Sequence, residues 1–513
     1  TSSVVLLCSG FALYSFFRLS AAEGQKDFNL YELVPSTTSA VFVTDDVLEF
    51  VAEVDELTCS KNQQYLYVSK LFSYLKQSLY ALSEDTPHGL SRQMNQMLIS
   101  FHEPDNERNQ VLYCRLGNGD KELVNRFVRK YISSLYPPKT FIYKGEEIII
   151  YPMADGDFLA CYLTSDFMAL SFQKKLIENV IDAYKSGKSL ADDSTFTGIR
   201  APKKSAAAAT IYTRMQGMMG WTEFDMKMKD DFIYFSGITH DADTCFAFIN
   251  QLRQQQSVKG FPGEVLPSTA FYFSRQGITD WVSLLSYGNA QGQSVPARTS
   301  EVQNRDEEFS RYLMENAGQD LVACLFQRED TLQGAAAVLS LSVADVTEAE
   351  RMLRALVNAA SADEGRRNPR ITFCYTVNKA YPIYRLPQTT LFEQLTSFAE
   401  PTLDVYAAFY GGRLLLAPDA DALALYIRQL DKGEVLNGAM AYQTGMDHLS
   451  DSYHFMLMAD FDHIFQQSEN HVRFVPDFFL RNADFFRHFT LFVQFACADG
   501  MVYPNIVLKY KSE

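Results

Sequence analysis

One internal repeat constrains this chain more than any other feature. Glu32-Leu33-Val34-Pro35-Ser36-Thr37 returns as Glu264-Val265-Leu266-Pro267-Ser268-Thr269, an offset of 232 in 513 residues. Both copies run on into an apolar strand pattern, Ala40 to Val43 and Ala270 to Phe273, and Glu49-Phe50-Val51 matches Asp280-Trp281-Val282 in a following helix. The same offset reappears at Thr140-Phe141-Ile142-Tyr143 and Thr372-Phe373-Cys374-Tyr375. Leu170, Ile177, Ile181, Gly187 and Leu190 then align with Leu416, Leu423, Ile427, Gly433 and Leu436 at an offset of 246. Each glycine falls where a helix C-cap takes a left-handed residue. Several matches in one order make a tandem duplication, and a repeated unit must bury its apolar face in the same way twice.

The drift in offset locates insertions in the second copy. The step from 232 to 246 puts 14 residues near 388–403. Asp230 with Phe232-Ile233-Tyr234 resembles Asp499 with Met501-Val502-Tyr503 at 269, which implies about 23 more near 463–487. The expected organisation is therefore residues 1–25 as a signal anchor and tether, 26–260 as the first repeat unit and 261–513 as the second, with the boundary near Lys259-Gly260-Phe261-Pro262-Gly263.

Within each unit strand patterns follow one another directly, as in Ser100 to Leu116, Phe141 to Ser171 and Thr210 to Phe235. Consecutive hairpins imply an α+β fold, a mainly antiparallel sheet with helices packed on one face. Helices are expected over Glu122 to Leu135 and after a Thr347-x-x-Glu350 capping box, with Ala349, Met352, Leu353, Leu356 and Val357 buried. The polar runs Asn289 to Glu307 and Ser361 to Arg370 read as surface loops.

Val4 to Phe17 is almost wholly apolar and stops at Arg18. As a helix it spans about 21 Å, short of a hydrocarbon core of about 30 Å. With residues ahead of Thr1 it forms the outer end of a single membrane span; a signal peptide cleaved near Ala22 and a buried helix are the rival readings. The anchor reading places the bulk of the chain in the bacterial periplasm, tethered to the inner membrane. Eight cysteines include no CxxC pair, and Cys114, Cys161, Cys324, Cys374 and Cys497 sit in apolar strand runs, which reads as buried, inert thiols. A formal net charge of -16 disfavours nucleic-acid partners, whose affinity comes from clustered cations.

The anchor, the "VPS/T" opening before the first strand and the segment Ser186-Gly187-Lys188-Ser189-Leu190 resemble the uncharacterised bacterial envelope proteins of domain-of-unknown-function family 3352, in the style of members from Bacteroidetes. The resemblance implies an exported, anchored α+β protein and brings no catalytic residues with it.

No Walker A loop, GxGxxG after a strand, HExxH or GxSxG occurs. Gly117-Asn118-Gly119-Asp120 reads as a turn, and Ser171-Phe172-Gln173-Lys174, an SxxK, as a helix start with Ser171 at the N-cap. Asp460, Asp462 and His463 form the densest polar cluster, with His448, His454, His471 and His488 nearby. Imidazole with carboxylate can ligate a metal or act as acid and base; capping and solvated turns explain the same residues. The second insertion crowds Phe474, Phe478, Phe479, Phe485, Phe486 and Phe489 among Arg473, Asp477, Arg481, Asp484 and Arg487. Rings with arginine suit a partner-binding surface, with Phe474, Phe478, Phe479, Arg481, Phe485, Phe486 and Arg487 as its candidates, and equally a helix packed on the sheet. The expectation is a non-catalytic, membrane-anchored periplasmic protein that binds a partner protein or envelope component, with no cofactor or metal. A periplasmic hydrolase with its site near Asp460 and His463, between the two units, is the alternative.

Overall fold

The computed structural model describes residues 28–61, 96–103, 108–117, 120–128, 136–153, 156–200, 207–214, 220–240, 247–285, 300–328, 334–363, 371–377, 379–396, 402–467 and 475–511. The segment expected to be an anchor lies outside them. Among the described residues no helix is long and apolar enough to cross a membrane. The fold is α+β, built on antiparallel sheet, and the chain divides into two compact units. The first holds residues 1–51 and 67–205, the second residues 52–66 and 206–513.

The first unit carries β1 (Ala40–Thr44), β2 (Met97–Phe101), β3 (Gln110–Arg115), β4 (Lys139–Tyr143), β5 (Glu146–Pro152), β6 (Phe158–Leu163) and β7 (Phe167–Ser171). Their order across the sheet is β1-β2-β3-β7-β6-β5-β4, every neighbour antiparallel. Val34 O accepts from Leu190 N (2.8 Å), and Pro35 bridges Ser189, closing the unit from its opening motif to the end of its long helix.

In the second unit a three-stranded meander of β8 (Ala209–Thr213), β9 (Trp221–Lys229) and β10 (Phe232–His240) comes first. There follow β11 (Val258–Lys259), β12 (Ala270–Gly277), β13 (Ala317–Gln327), β14 (Ala335–Val343), β15 (Ile371–Tyr375), β16 (Ala380–Arg385), β17 (Tyr406–Tyr410) and β18 (Arg413–Ala417). The last strands are β19 (Ser452–Tyr453), β20 (Phe455–Asp460), β21 (Phe489–Ala498) and β22 (Met501–Tyr510). From β12 the order runs β12-β13-β14-β18-β17-β16-β15, and on the other side β12-β20-β21-β22-β10-β9-β8. The two-residue strands β11 and β19 form a separate ribbon. Leu266 O accepts from Leu436 N (2.9 Å) and Pro267 bridges Val435, the same bond and bridge as in the first unit at offsets of 232 and 246.

Helices cover both faces of each sheet, which corrects the expectation of one. Phe42 of β1 meets Phe50 in the helix Val47–Glu56 edge-on at 5.2 Å. Phe167 of β7, whose side chain points to the other face, meets Tyr184 in the helix Lys174–Ser186 at 5.4 Å. In the second unit Ile383 packs with Leu423, Tyr426 and Ile427 of the helix Ala420–Asp431. Its neighbour Tyr384 turns the other way and donates to Glu350 (2.6 Å) in the helix Val346–Asp363. Strands sandwiched between two helical layers lose the alternation of a half-exposed sheet. Ala336 to Leu341 of β14 is accordingly buried without a break.

Three further expectations are corrected. Residues 300–307, read as loop, open the helix Ser300–Asn316, in which Val302, Asp306, Phe309 and Leu313 are buried at helical spacing. The helix that follows β14 is capped by Asp345, whose Oδ1 accepts from Thr347 N (2.9 Å) and Glu348 N (3.1 Å), not by Thr347. Ser171 ends β7: its hydroxyl donates to Gln110 O (2.7 Å) and accepts from Gln173 N (3.1 Å), and Gln173 is the residue before the helix. The two segments read as insertions, near 388–403 and 463–487, lie in connections of the second unit. The first, between β16 and β17, contains the helix Leu391–Leu395; the second, between β20 and β21, contains Phe461–Phe465, Asp477–Arg481 and Ala483–Phe486.

Candidate functional site

Asp460 ends β20 and caps the short helix Phe461–Phe465, its Oδ1 accepting from Asp462 N (3.0 Å) and His463 N (3.4 Å). Lys511 Nζ donates to the same oxygen at 2.7 Å, and His463 Nδ1 lies 3.4 Å from it. Burial raises the Asp460 carboxyl, but the His463 hydrogen bond and the Lys511 charge outweigh it and hold it below its ordinary value. The hydrogen bond with Asp460 raises His463. One oxygen thus serves as a helix cap and as the acceptor of Lys511, with His463 Nδ1 within ion-pair distance.

Of the other histidines nearby in sequence, the described ones have partners elsewhere. His448 meets the rings of Phe232 (4.4 Å) and Tyr234 (5.2 Å) edge-on. His454 Nδ1 accepts from Cys497 N (3.1 Å), and burial lowers its basicity. His488 packs 6.3 Å from Tyr510, and His471 lies outside the described residues. Among the described residues no group of three His, Cys, Asp or Glu is placed to hold a metal ion.

The described aromatic side chains of the second insertion pack against one another. Phe461, capped by Asp460, meets Phe479 (4.9 Å), Phe486 (5.7 Å) and Phe465 (5.3 Å); Phe485 meets Phe486 (5.1 Å) and Phe489 of β21 (4.9 Å). Phe486 is buried, whereas Arg481 and Arg487 are exposed, Arg487 pairing with Asp484 at 3.4 Å. Phe474 and the Phe478 side chain lie outside the described residues. A ring pack with arginines on its outside is what remains of the expected contact surface. The first insertion is anchored by a polar group: Asp306 accepts from Thr389 Oγ1 (2.6 Å), Thr390 N (2.9 Å) and Thr390 Oγ1 (2.6 Å). No separate sequence signal marked that carboxylate, which sits in the run read as loop.

The strongest charged cluster escaped sequence reading because its members lie up to 138 positions apart. Arg275 of β12 donates through Nε to Asp320 of β13 (2.9 Å), and Arg413 of β18 approaches both Asp320 oxygens at 3.3 Å. Arg413 also donates to Ser340 O (2.9 Å), and Arg275 Nη1 to Gly260 O (2.8 Å), which Tyr453 OH shares (2.8 Å). The Asp320 side chain is 8% exposed. Burial raises its carboxyl, yet Arg413, Ser342 and Arg275 keep it low. Cross-strand pairing puts Arg275, Val322 and Ser340 on one sheet face with the core residues Phe273, Cys324 and Val338, so the ions lie at the end of that core. One carboxylate serves two guanidinium groups, whose other N–H groups go to Gly260 O, Tyr453 OH and Ser340, which makes the cluster a fixed structural group.

Three other features bear on chemistry. Ser100 Oγ lies 2.9 Å from His102 Nε2 and 3.1 Å from Tyr113 OH; Ser100 is wholly buried and burial lowers His102 to about 4. Lys174 of the SxxK pairs with Glu178 (2.7 Å) and lies over the Phe141 ring. Burial pushes the thiols of Cys114 and Cys161 up to about 12 and Cys497 to about 11, so they are protonated at neutral pH. Cys59, Cys114, Cys161, Cys324, Cys374 and Cys497 are free.

Outward-facing apolar residues gather on the edge hairpin β15–β16, where Phe373, Tyr375 and Val377 are 54%, 71% and 94% exposed. No protein family, curated protein or solved structure matches this chain.

Proposed function

We propose that the chain is a tandem duplication of one α+β unit that serves as a non-catalytic, membrane-anchored protein of the bacterial envelope, with its bulk in the periplasm, binding a partner protein or envelope component. Family 3352 of the uncharacterised envelope proteins is the resemblance on which the location rests, together with the apolar stretch Val4 to Phe17.

Duplication is supported by strand order. β1-β2-β3-β7-β6-β5-β4 and β12-β13-β14-β18-β17-β16-β15 have the same sequence of neighbours. Asp230 and Asp499 both take positive φ, 50° and 51°, in the turns before β10 and β22. These two strands pair with each other, Phe232 opposite Lys509 and Thr239 opposite Val502. Ser236 stands opposite Asn505, its own match at the 269 offset, so the pairing is centred on matched residues, as in a two-fold seam between copies of one element.

The observation that carries a binding role is the use already made of each reactive candidate. Asp460 caps and pairs, Ser171 closes a strand end, and the arginines of the second insertion stay outside its ring pack. Deleting the insertion would uncover Phe461 and Phe489, so charge reversal is the cleaner test. Gentle detergent extraction of the full chain should recover a partner at reproducible stoichiometry, and Arg481→Glu with Arg487→Glu should lose it with thermal stability unchanged. Recovery of the chain alone from membranes would overturn the proposal.

A further inference from the structure

We propose that β15 is a self-association edge, pairing antiparallel with β15 of a second copy of this chain. The inference is independent of any envelope partner and of the arginines beside the ring pack.

Among the described residues β15 pairs only with β16. Thr376 N donates to Lys379 O (3.0 Å) across the turn, and hydrogen-bonded pairs alternate from that point. Cys374 with Tyr381 and Thr372 with Ile383 therefore exchange bonds. Phe373 stands opposite Pro382, which has no N–H to give. By that alternation the backbone groups of Ile371, Phe373 and Tyr375 point to the open edge, and their side chains share the face turned from Cys374. Cys374 is buried against the helix Ala420–Asp431, while Phe373 and Tyr375 are 54% and 71% exposed with ring centroids 6.3 Å apart.

Sheet edges are ordinarily guarded by charge. Both edge hairpins carry a lysine in the turn, Lys144 and Lys379, but β4, the last strand of the first unit's sheet, also begins with Lys139. Ile371-Thr372-Phe373-Cys374-Tyr375 has no charged residue. Its antiparallel pairing with itself, centred on Phe373, opposes no like charges and sets Ile371 across from Tyr375, an aromatic against a β-branched residue. A two-fold pairing of this kind closes on itself, giving a dimer and no fibre.

Size sets the strength. Taking about 200 Å² for a fully exposed ring, Phe373 and Tyr375 offer roughly 250 Å² per copy. Even with the strand edge added this falls short of the about 1,200 Å² of stable complexes, so the dimer is weak and forms only at high protein concentration.

Sedimentation equilibrium of the full chain in density-matched detergent, from about 5 to 500 μM, reads the outcome. The average mass should rise from 58.2 kDa toward twice that value. Phe373→Lys should weaken association at least tenfold, with its urea midpoint unchanged because the side chain is outside the core. Lys139→Ala, on the guarded edge, should leave association unaltered. A constant 58.2 kDa over the whole range, growth beyond a dimer, or association untouched by Phe373→Lys overturns the proposal, whether or not an envelope partner is recovered in the membrane extraction.

Discussion

Removing Asp320 tests the buried ion cluster and the sheet that carries it. Asp320→Ala deletes the acceptor of Arg275 Nε at 2.9 Å and of both Arg413 nitrogens at 3.3 Å. Two guanidinium groups are then left inside with only neutral partners, Gly260 O, Tyr453 OH and Ser340. Stranding buried charge in this way costs about 3–5 kcal/mol. For a urea m-value of about 2–3 kcal/mol/M the midpoint should fall by roughly 1–2.5 M. Tryptophan fluorescence is a suitable reporter, since Trp221 and Trp281, the two tryptophans of the chain, are both buried in the second unit. A triple variant, Arg275→Met with Asp320→Leu and Arg413→Met, removes the charges together and should return to within about 2 kcal/mol of the parent. Acid adds a second reading. The Asp320 carboxyl is held low in the fold, so its contribution is complete above an unfolded value of about 4 and disappears as pH falls through the lower folded value. The gap between parent and Asp320→Asn should therefore close below about pH 4. A loss under about 1 kcal/mol for Asp320→Ala, or a triple variant as unstable as the single one, would refute the reasoning.

Other perturbations separate packing from surface. Phe486→Ala should cost about 3–5 kcal/mol by urea unfolding, because its ring is enclosed by Phe461, Phe479 and Phe485, while Arg487→Ala stays within about 0.5 kcal/mol. Asp306→Ala should destabilise the second unit by about 2–4 kcal/mol in the same assay, since Thr389 and Thr390 lose a common buried acceptor. His463 has a raised value in the fold, so its pairing with Asp460 contributes fully below about pH 6.5 and fades as pH rises through the folded value. Parent and His463→Gln should accordingly converge in thermal midpoint toward pH 9, with a small gap at pH 6 because the imidazole is 41% exposed.

Local sequence signals reported the frame well. Gly187 and Gly433 take φ of 63° and 75° at the ends of their helices, as the aligned spacing implied. The second helical layer is marked only by short apolar runs, Ala335 to Leu339 in β14 and Leu414 to Ala417 in β18, which mean burial on both faces and are masked by the alternating pattern of the hairpins. The repeat also misleads by one residue at the edge hairpins. Tyr143 donates to Asp182 in the helix Lys174–Ser186, but its sequence match Tyr375 shares the face turned from the equivalent helix, where Cys374 points instead. A slip of one position reverses a strand's faces, and no similarity score sees it. The Arg275, Asp320 and Arg413 cluster was invisible for a different reason: each residue belongs to a different strand, and only cross-strand pairing brings them together.

The claim that underlies the rest is a single fold present twice, and an experimental structure of the chain at side-chain resolution tests it most directly. β1 to β7 should superpose on β12 to β18 in the same order of neighbours, with Leu190 N donating to Val34 O and Leu436 N to Leu266 O in the matched halves. Different strand orders, or one of these bonds without the other, would contradict it.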